Sequence, residues 1–186
     1  MSSFNLTNHF LIAMPTLEDP HFSKTVTYIC AHNDEGAMGI VINRPMDIHL
    51  EEVFSQMNIE ADGAGLNSQA VYLGGPVHRD RGFIVHSPAD KWESSIHVTK
   101  ELAVSTSRDI LEAIGAGVGP RNILVALGYA GWAAGQLEQE MADNAWLSGP
   151  AGLEILFEMP AERRWQSAAA AMGVNLGSMS SDVGHA

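Results

Sequence analysis

With 186 residues, 46% of them hydrophobic and 17% charged, the chain is long enough to close a real core and belongs with globular proteins rather than disordered or fibrous ones. Its 22 acidic residues against 10 basic ones give a net charge of −12, and only Arg79/Arg81 and Arg163/Arg164 bring basic residues close together. That argues against the basic stripe with which proteins displace counterions from nucleic-acid phosphates, and against binding to an anionic membrane surface.

The opening Met1–His9 has neither the basic start nor the apolar run of a signal peptide. A first strand is predicted over His9–Met14 and stopped by Pro15. Thr25–His32 alternates, with Val26, Tyr28, Cys30 and His32 on one face and Thr25, Thr27, Ile29 and Ala31 on the other. Asn33–Gly36 reads as a hairpin loop, and Met38–Asn43 runs back. Leu50, Val53, Phe54 and Met57 fall at i, i+3, i+4 and i+7, the stripe of an amphipathic helix. Ala61–Ser68 is a glycine-containing loop, followed by strands at Ala70–Leu73, Gly82–Ser87 and Ser95–Thr99.

Thr106–Asp109 has capping-box-like spacing ahead of a helix carrying Ile110, Leu111 and Ile114, which glycines 115, 117 and 119 end. Asn122–Leu127 is apolar without alternation, so it is expected at the centre of the sheet, covered on both faces. The surrounding run Ile123–Ala134 is broken by Gly128 and Gly131 and falls far short of the roughly 20 residues that span a bilayer. Ala134, Leu137 and Met141 mark another helix, and Pro150 opens a short one with Leu153, Leu156 and Phe157. Pro160 sits at the first position of a last helix with Trp165, Ala168, Ala169 and Met172 as its stripe and Gly173 at its end. No repeat and no linker divides the chain, so one domain is expected over 1–173, with a loose tail over 174–186. Hairpins and one doubly covered strand together predict an α+β fold: a bent, mixed, mainly antiparallel sheet surrounded by helices.

Cys30 is the only cysteine, so no internal disulfide forms and a cytoplasmic location is expected. The sequence has no Gly-x-Ser-x-Gly elbow, Walker loop or His-Glu-x-x-His helix. Its eight histidines include no i, i+4 helical pair; His78 with Asp80, or His86 with His97, could meet in space, but no spacing argues for it. No metal or other cofactor is therefore expected.

The most suggestive segment is Gly128–Glu138, which follows the buried strand and leads into a helix. There Gly128 and Gly131 could bare backbone N–H groups to an anion at a helix start, with Trp132 as a flat wall, Gln136 as a directional amide and Glu138 as a carboxylate. The same glycines equally suit a tight turn, with Trp132 packed into the core. Asn43-Arg44-Pro45 and Gly74-Gly75-Pro76-Val77-His78-Arg79 also follow strands, and the Arg44 and Arg79 forks could hold a carboxylate or phosphate, or pair with surface acids. Asn43, Arg44, Gly74, Gly75, Arg79, Gly128, Gly131, Trp132, Gln136 and Glu138 thus form the candidate ligand site, for a small anionic or polar ligand or a protein partner. Cys30 and His32, two apart on one strand face, are a candidate reactive thiol pair, or else a buried small hydrophobe beside a core histidine.

These segments, taken together, resemble the YqgE/AlgH family of bacterial proteins. The resemblance is carried by Phe10–Pro15, Leu17-x-Asp19-Pro20-x-Phe22, Val26-x-Tyr28-Ile29-Cys30-x-His32, Gly36–Pro45, Leu73–Val77 and Gly128–Trp132. It continues through Gln136-Leu137-Glu138, Asn144–Leu147 and Arg164-Trp165, up to about Gly173. Ala133 stands where a glycine often follows the tryptophan. The resemblance implies a bent, bifurcated sheet forming a small barrel-like core surrounded by helices. It brings no agreed reaction or catalytic residue, and the name AlgH reflects a proposed regulatory role in alginate synthesis. A charge of −12 makes any such regulation indirect. The expected function is a non-enzymatic regulatory or ligand-binding domain. The alternative is an enzyme or thiol-based redox sensor working at the Cys30/His32 face or the Gly128–Glu138 corner.

Overall fold

The computed structural model describes residues 5–61 and 69–176. Residues 62–68 of the expected Ala61–Ser68 loop and 177–186 of the expected tail lie outside the described residues. In chain order the elements are β1 (His9–Ala13), β2 (Val26–Asn33), β3 (Gly36–Val41), β4 (Pro45–His49), α1 (Leu50–Gln56), β5 (Ala70–Leu73), β6 (Val77–Ser87) and β7 (Ser95–His97). They continue with β8 (Ala103–Ser105), α2 (Arg108–Gly115), β9 (Asn122–Ala133), α3 (Gln136–Ala142), β10 (Trp146–Pro150), a π-helical turn over Glu154–Glu158 and α4 (Ala161–Ala171). The chain groups into two compact units, Met1–Asn43 with Ala130–Ala186, and Arg44–Tyr129.

The first unit is an antiparallel set in the order β10-β1-β2-β3, with the end of β9 added beside β3 through pairs such as Ala37↔Trp132 and Gly39↔Ala130. Val26 to Cys30 are buried on both faces of β2, so its alternation does not sort core from solvent. α4 has Ala168 and Ala169 buried, and its Trp165 indole donates to the Ala13 carbonyl at 2.9 Å. The buried Arg164 guanidinium donates to the carbonyls of Met159 and Ile42, satisfying a charge that could not otherwise be placed there.

In the second unit the sheet runs β7-β8-β6-β9-β5-β4. Among the described residues only β5 and β9 pair in parallel, at Tyr72↔Ala126 and Leu73↔Leu127. The first half of β9 is central, with β6 on one side and β5 on the other, and Leu124, Val125 and Ala126 are buried as the apolar run predicts. α1 and α2 cover this sheet through Leu50, Phe54, Ile110, Leu111 and Ile114, packed with Val71, Ile84 and Val125. The mainly antiparallel strands and peripheral helices make this an α+β fold. Among the described residues no helix is long and apolar enough to cross a membrane.

The structure corrects several expected boundaries. β6 begins at Val77, five residues before the expected start, with an irregularity in its pairing to β9 between Val77 and Gly82. β4 was not expected; Pro45 can open it because an initial strand position tolerates a missing N–H. β8 and β10 were not expected, the first because it is three residues long and the second because Gly149 and Pro150 mask it. The capping box belongs to α1, where the His49 N–H donates to Glu52 at 3.4 Å; at α2 it is Asp109 Oδ1 that accepts from the Ile110 N–H at 2.9 Å.

Candidate functional site

The largest change from expectation concerns the glycine-rich corner. Gly128, Gly131 and Trp132 lie inside β9, and the chain turns only at Ala134 and Gly135. Gly135 takes φ +77 as the N-cap of α3, a left-handed conformation that a side chain would strain. In the first unit, Ala133 N–H donates to Gln136 Oε1 at 2.9 Å, and Gln136 Nε2 donates to Glu140 Oε2 at 2.9 Å. The other oxygen of Glu140 accepts two indoles, Trp132 Nε1 at 3.0 Å and Trp146 Nε1 at 2.9 Å. Phe22 closes this group, its ring 6.1 Å from Trp132 and 5.6 Å from Trp146. Trp132 and Gln136 are thus bound to neighbours within the unit, and Glu140, which sequence reasoning passed over, is their common acceptor.

Glu138 faces the other way. Its Oε2 lies 3.1 Å from His32 Nε2, while His32 Nδ1 accepts the Leu6 N–H at 2.9 Å. Because Nδ1 must offer a lone pair to Leu6, the proton sits on Nε2 and is donated to the carboxylate. The Glu138 carboxyl is held below its ordinary value, first by its own backbone N–H and then by His32. His32 therefore ties the amino-terminal segment and α3 to β2, with neither nitrogen turned toward Cys30. The Cys30 thiol is buried, and desolvation pushes its pKa up to about 12. Of the two readings of the pair, a reactive thiol or a buried small hydrophobe beside a core histidine, this burial favours the second, since a nucleophile needs a thiolate. Asn43 is similarly engaged, its Oδ1 accepting from Val26 N–H and its Nδ2 donating to the Lys24 carbonyl, each at 2.9 Å.

In the second unit, Arg44, Gly74, Gly75 and Gly128 lie on neighbouring backbone. The Arg44 carbonyl accepts the Leu73 N–H at 2.8 Å, and Gly74 N–H donates to the Leu127 carbonyl at 2.7 Å. Gly128 sits at φ +80, and a Cβ added there would lie 2.4 Å from the Gly75 oxygen. The paired glycines serve a close backbone crossing. Arg79 is exposed on the irregular start of β6.

The open space in this unit lies elsewhere, between the helices and the sheet. A cavity of about 340 Å³ is walled on the sheet side by Gly82 and Ile84 of β6 and Val125 and Leu127 of β9. These four form cross-strand pairs, Gly82↔Leu127 and Ile84↔Val125, so all present side chains, or the lack of one, to the same face. α1 contributes Val53, Gln56 and Met57 at helical spacing, and α2 contributes Arg108 and Leu111. Asp80, Gln56 and Arg108 are exposed, whereas Ile84, Leu111 and Val125 are buried, so polar groups border an aliphatic interior. A Cβ built on Gly82 meets nothing within 4 Å. The apolar stripe of α1 was visible in the sequence; that it would leave a space opposite Gly82 was not.

One polar chain in this unit is sealed. His86 Nε2 lies 2.7 Å from Ser105 Oγ, which lies 2.7 Å from Ser95 Oγ, and His86 Nδ1 is 3.0 Å from the Pro88 carbonyl. The carbonyl can only accept, so Nδ1 carries the proton and Nε2 accepts from the serine hydroxyl. Burial lowers the His86 pKa, and His97 works in the same direction, against the Pro88 hydrogen bond and Asp90. His86 and His97 flank Ala103 from β6 and β7, and His97 Nε2 reaches the Asp90 carbonyl at 2.9 Å, so both rings hold the 88–90 loop. Among the described residues no group of three or more His, Cys, Asp or Glu side chains is placed to hold a metal ion.

Comparison with known proteins places this geometry in context. A family model described as AlgH-like matches residues 10–177. A UPF0301 protein of Thioalkalivibrio sulfidiphilus is 59% identical, covering 100% of this chain and 99% of its own length. One from Methylococcus capsulatus is 54% identical over 97% of this chain and 96% of its own. The solution structure of the AlgH protein from Pseudomonas aeruginosa superposes with a TM-score of 0.80 at 50% identity, covering 97% of this chain and 95% of that one. A crystal structure of a Corynebacterium diphtheriae protein, 21% identical with a TM-score of 0.73 over 89% of this chain and 86% of that one, shares the fold.

Proposed function

The chain belongs to the AlgH-like family, and from that footing we propose that it is a cytoplasmic, non-enzymatic regulatory domain that responds to a small molecule bound in its second unit. The single observation carrying this reading is the cavity of about 340 Å³ between α1, α2 and β6/β9. Its size lies in the range of small-molecule sites, and an aliphatic interior bordered by a few polar groups is the usual composition of such sites. The groups first suspected of chemistry support a binding role over a catalytic one. The Cys30 thiol is pushed up to about 12, and the His32, Trp132 and Gln136 side chains hydrogen-bond within the first unit. A protonated lone cysteine suits a reducing compartment, and the charge of −12 argues that regulation proceeds without direct contact to nucleic acid.

A thermal-shift screen against metabolites tests the reading. A ligand present at 100 times its dissociation constant adds about 2.7 kcal/mol of stability. Gly82→Phe places a ring in the cavity without deleting a core contact, so a true cavity ligand loses its shift in that variant. Shifts that persist in Gly82→Phe would place the ligand outside the cavity and defeat the proposal.

A further inference from the structure

We propose that the cavity of the second unit takes an aliphatic carboxylate, its chain lying along Ile84, Leu111, Val125 and Leu127 and its carboxylate held by Arg108. The inference rests on the ligand-binding reading above and adds the chemistry of the ligand.

The walls speak for the chain. Every apolar side chain lining the cavity is aliphatic, and no aromatic face is among the lining residues. A nucleobase or another flat ring system gains much of its binding from stacking, which these walls cannot provide. A flexible hydrocarbon needs only apolar area removed from water, and the side-chain-free position at Gly82 leaves depth for it directly over the sheet.

Arg108 speaks for the head. Its Nε donates to Glu112 Oε2 at 3.1 Å and one terminal nitrogen to the Asn58 carbonyl at 3.3 Å. A guanidinium has five N–H groups in a fixed fork that matches a carboxylate, so these two bonds leave three donors. The pair with Glu112 is half exposed on both sides, with 47% and 56% of the side chains accessible, and exposed i,i+4 pairs of this kind hold weakly. An incoming carboxylate therefore competes with a loosely held partner. Asp80 is the rival anchor and would favour an ammonium head. Both anchors have oppositely charged neighbours, Arg79 and Arg81 along β6 for Asp80 and Asp109 and Glu112 along α2 for Arg108, so the choice rests on the three spare donors of the Arg108 fork.

The test is calorimetric titration of the full chain with decanoate, decanol and decylamine, each below its micellar concentration. It is repeated on Arg108→Gln, which keeps much of the stem, and on Gly82→Phe, with Gly82→Leu as the filling variant should the phenylalanine not fold. Decanoate is expected to bind about tenfold tighter than decanol, the worth of one charge-assisted hydrogen bond. In Arg108→Gln decanoate should fall to the decanol value while decanol stays unchanged, and the filling variant should lose both. Decylamine binding as tightly as decanoate, or decanoate unaffected by Arg108→Gln, overturns the head-group assignment and leaves the cavity reading standing. No binding by any of the three probes overturns the aliphatic-carboxylate assignment, and unaltered binding in the filling variant overturns the cavity reading itself.

Discussion

The two units treat their polar side chains in opposite ways. In the first, Trp132, Trp146 and Gln136 converge on Glu140, and His32 links Leu6 to Glu138, so donors and acceptors answer one another. In the second, Arg108 and Asp80 border a space that none of the described side chains fills, and Arg108 is held by an exposed neighbour and a long bond to a carbonyl. A cluster of functional-looking residues can therefore be the more structural region, because each group already has its partner. In the second unit, room for a ligand is defined by aliphatic walls and an absent side chain. Substitutions that separate closed from open positions put this contrast to the test.

The largest effect is expected at Gly128→Ala in the second unit, at a closed position. The residue is at φ +80, and the new Cβ would lie 2.4 Å from the Gly75 oxygen, so left-handed strain and overpacking act together. We expect a loss of about 2–5 kcal/mol in denaturant unfolding. A stable Gly128→Ala protein would show that the crossing at Gly75 can open without cost. Next comes Glu140→Ala in the first unit, which leaves the indole N–H groups of two buried tryptophans without their acceptor. Each unsatisfied donor costs about 1–3 kcal/mol, and because both hydrogen bonds are only part-buried the variant should lose about 2–4 kcal/mol. Glu140→Gln keeps an acceptor oxygen and should recover part of that loss. If Glu140→Ala unfolds at the wild-type midpoint, the first unit is not held by this network.

Much of the fold was legible because the sequence pattern and the physical driving force coincide. Leu124, Val125 and Ala126 of the apolar run are buried at the sheet centre, and the α1 and α2 stripes face the core. What escaped notice were features settled by distant residues. β9 runs on through Gly128 and Gly131 because β3 is there to pair with it, at Met38↔Gly131 for example, and glycine-rich composition by itself suggests a turn. Glu140 acquires its role only when β10 brings Trp146 within reach, and β10 was itself hidden by its terminal glycine and proline. Of the candidate site, Cys30 and His32 were correctly placed on one strand, but their burial depends on neighbouring strands and on Leu6. The cavity combines residues of five elements and an empty position, and a single-sequence pattern has no sign for empty space.

A smaller effect is expected from pH, and it concerns a closed polar chain inside the otherwise open unit. His86 is buried against Ser105, with Pro88, Asp90, His97 and, through Ser105, Ser95 around it, and desolvation sets its pKa below the ordinary imidazole value of 6.5. Above pH 6.5 the ring is neutral in both folded and unfolded chains. Below it the unfolded chain takes up the proton first, so stability is full above 6.5 and declines as the pH falls toward the folded value. Urea midpoints measured between pH 7.5 and pH 5.5 should fall toward acid. His86→Gln should flatten that slope, though at lower overall stability, because the Ser105 hydroxyl loses its partner. An equal slope in the variant would assign the acid sensitivity to other histidines.

The smallest effect is expected at Gly82→Ala, and its smallness is the point. Gly82 and Gly128 both lie beside Leu127, one across the ladder and one along the chain, yet the structure gives them opposite roles. Gly82 carries no positive φ, and its added Cβ meets no atom within 4 Å, so neither backbone strain nor a clash opposes alanine. Removing a glycine from a strand also lowers the entropy of the unfolded chain, a gain of about 0.4–1 kcal/mol where the native backbone is compatible. The new methyl group enters the cavity, where it partly fills space that nothing else occupies. Gly82→Ala should therefore unfold at the wild-type midpoint or slightly above it, while weakening decanoate by shortening the room for its chain. Destabilisation comparable to that of Gly128→Ala would mean that the strand closes on the helices in solution, leaving no cavity to bind anything. Unchanged stability with weakened decanoate would locate the bound chain against β6.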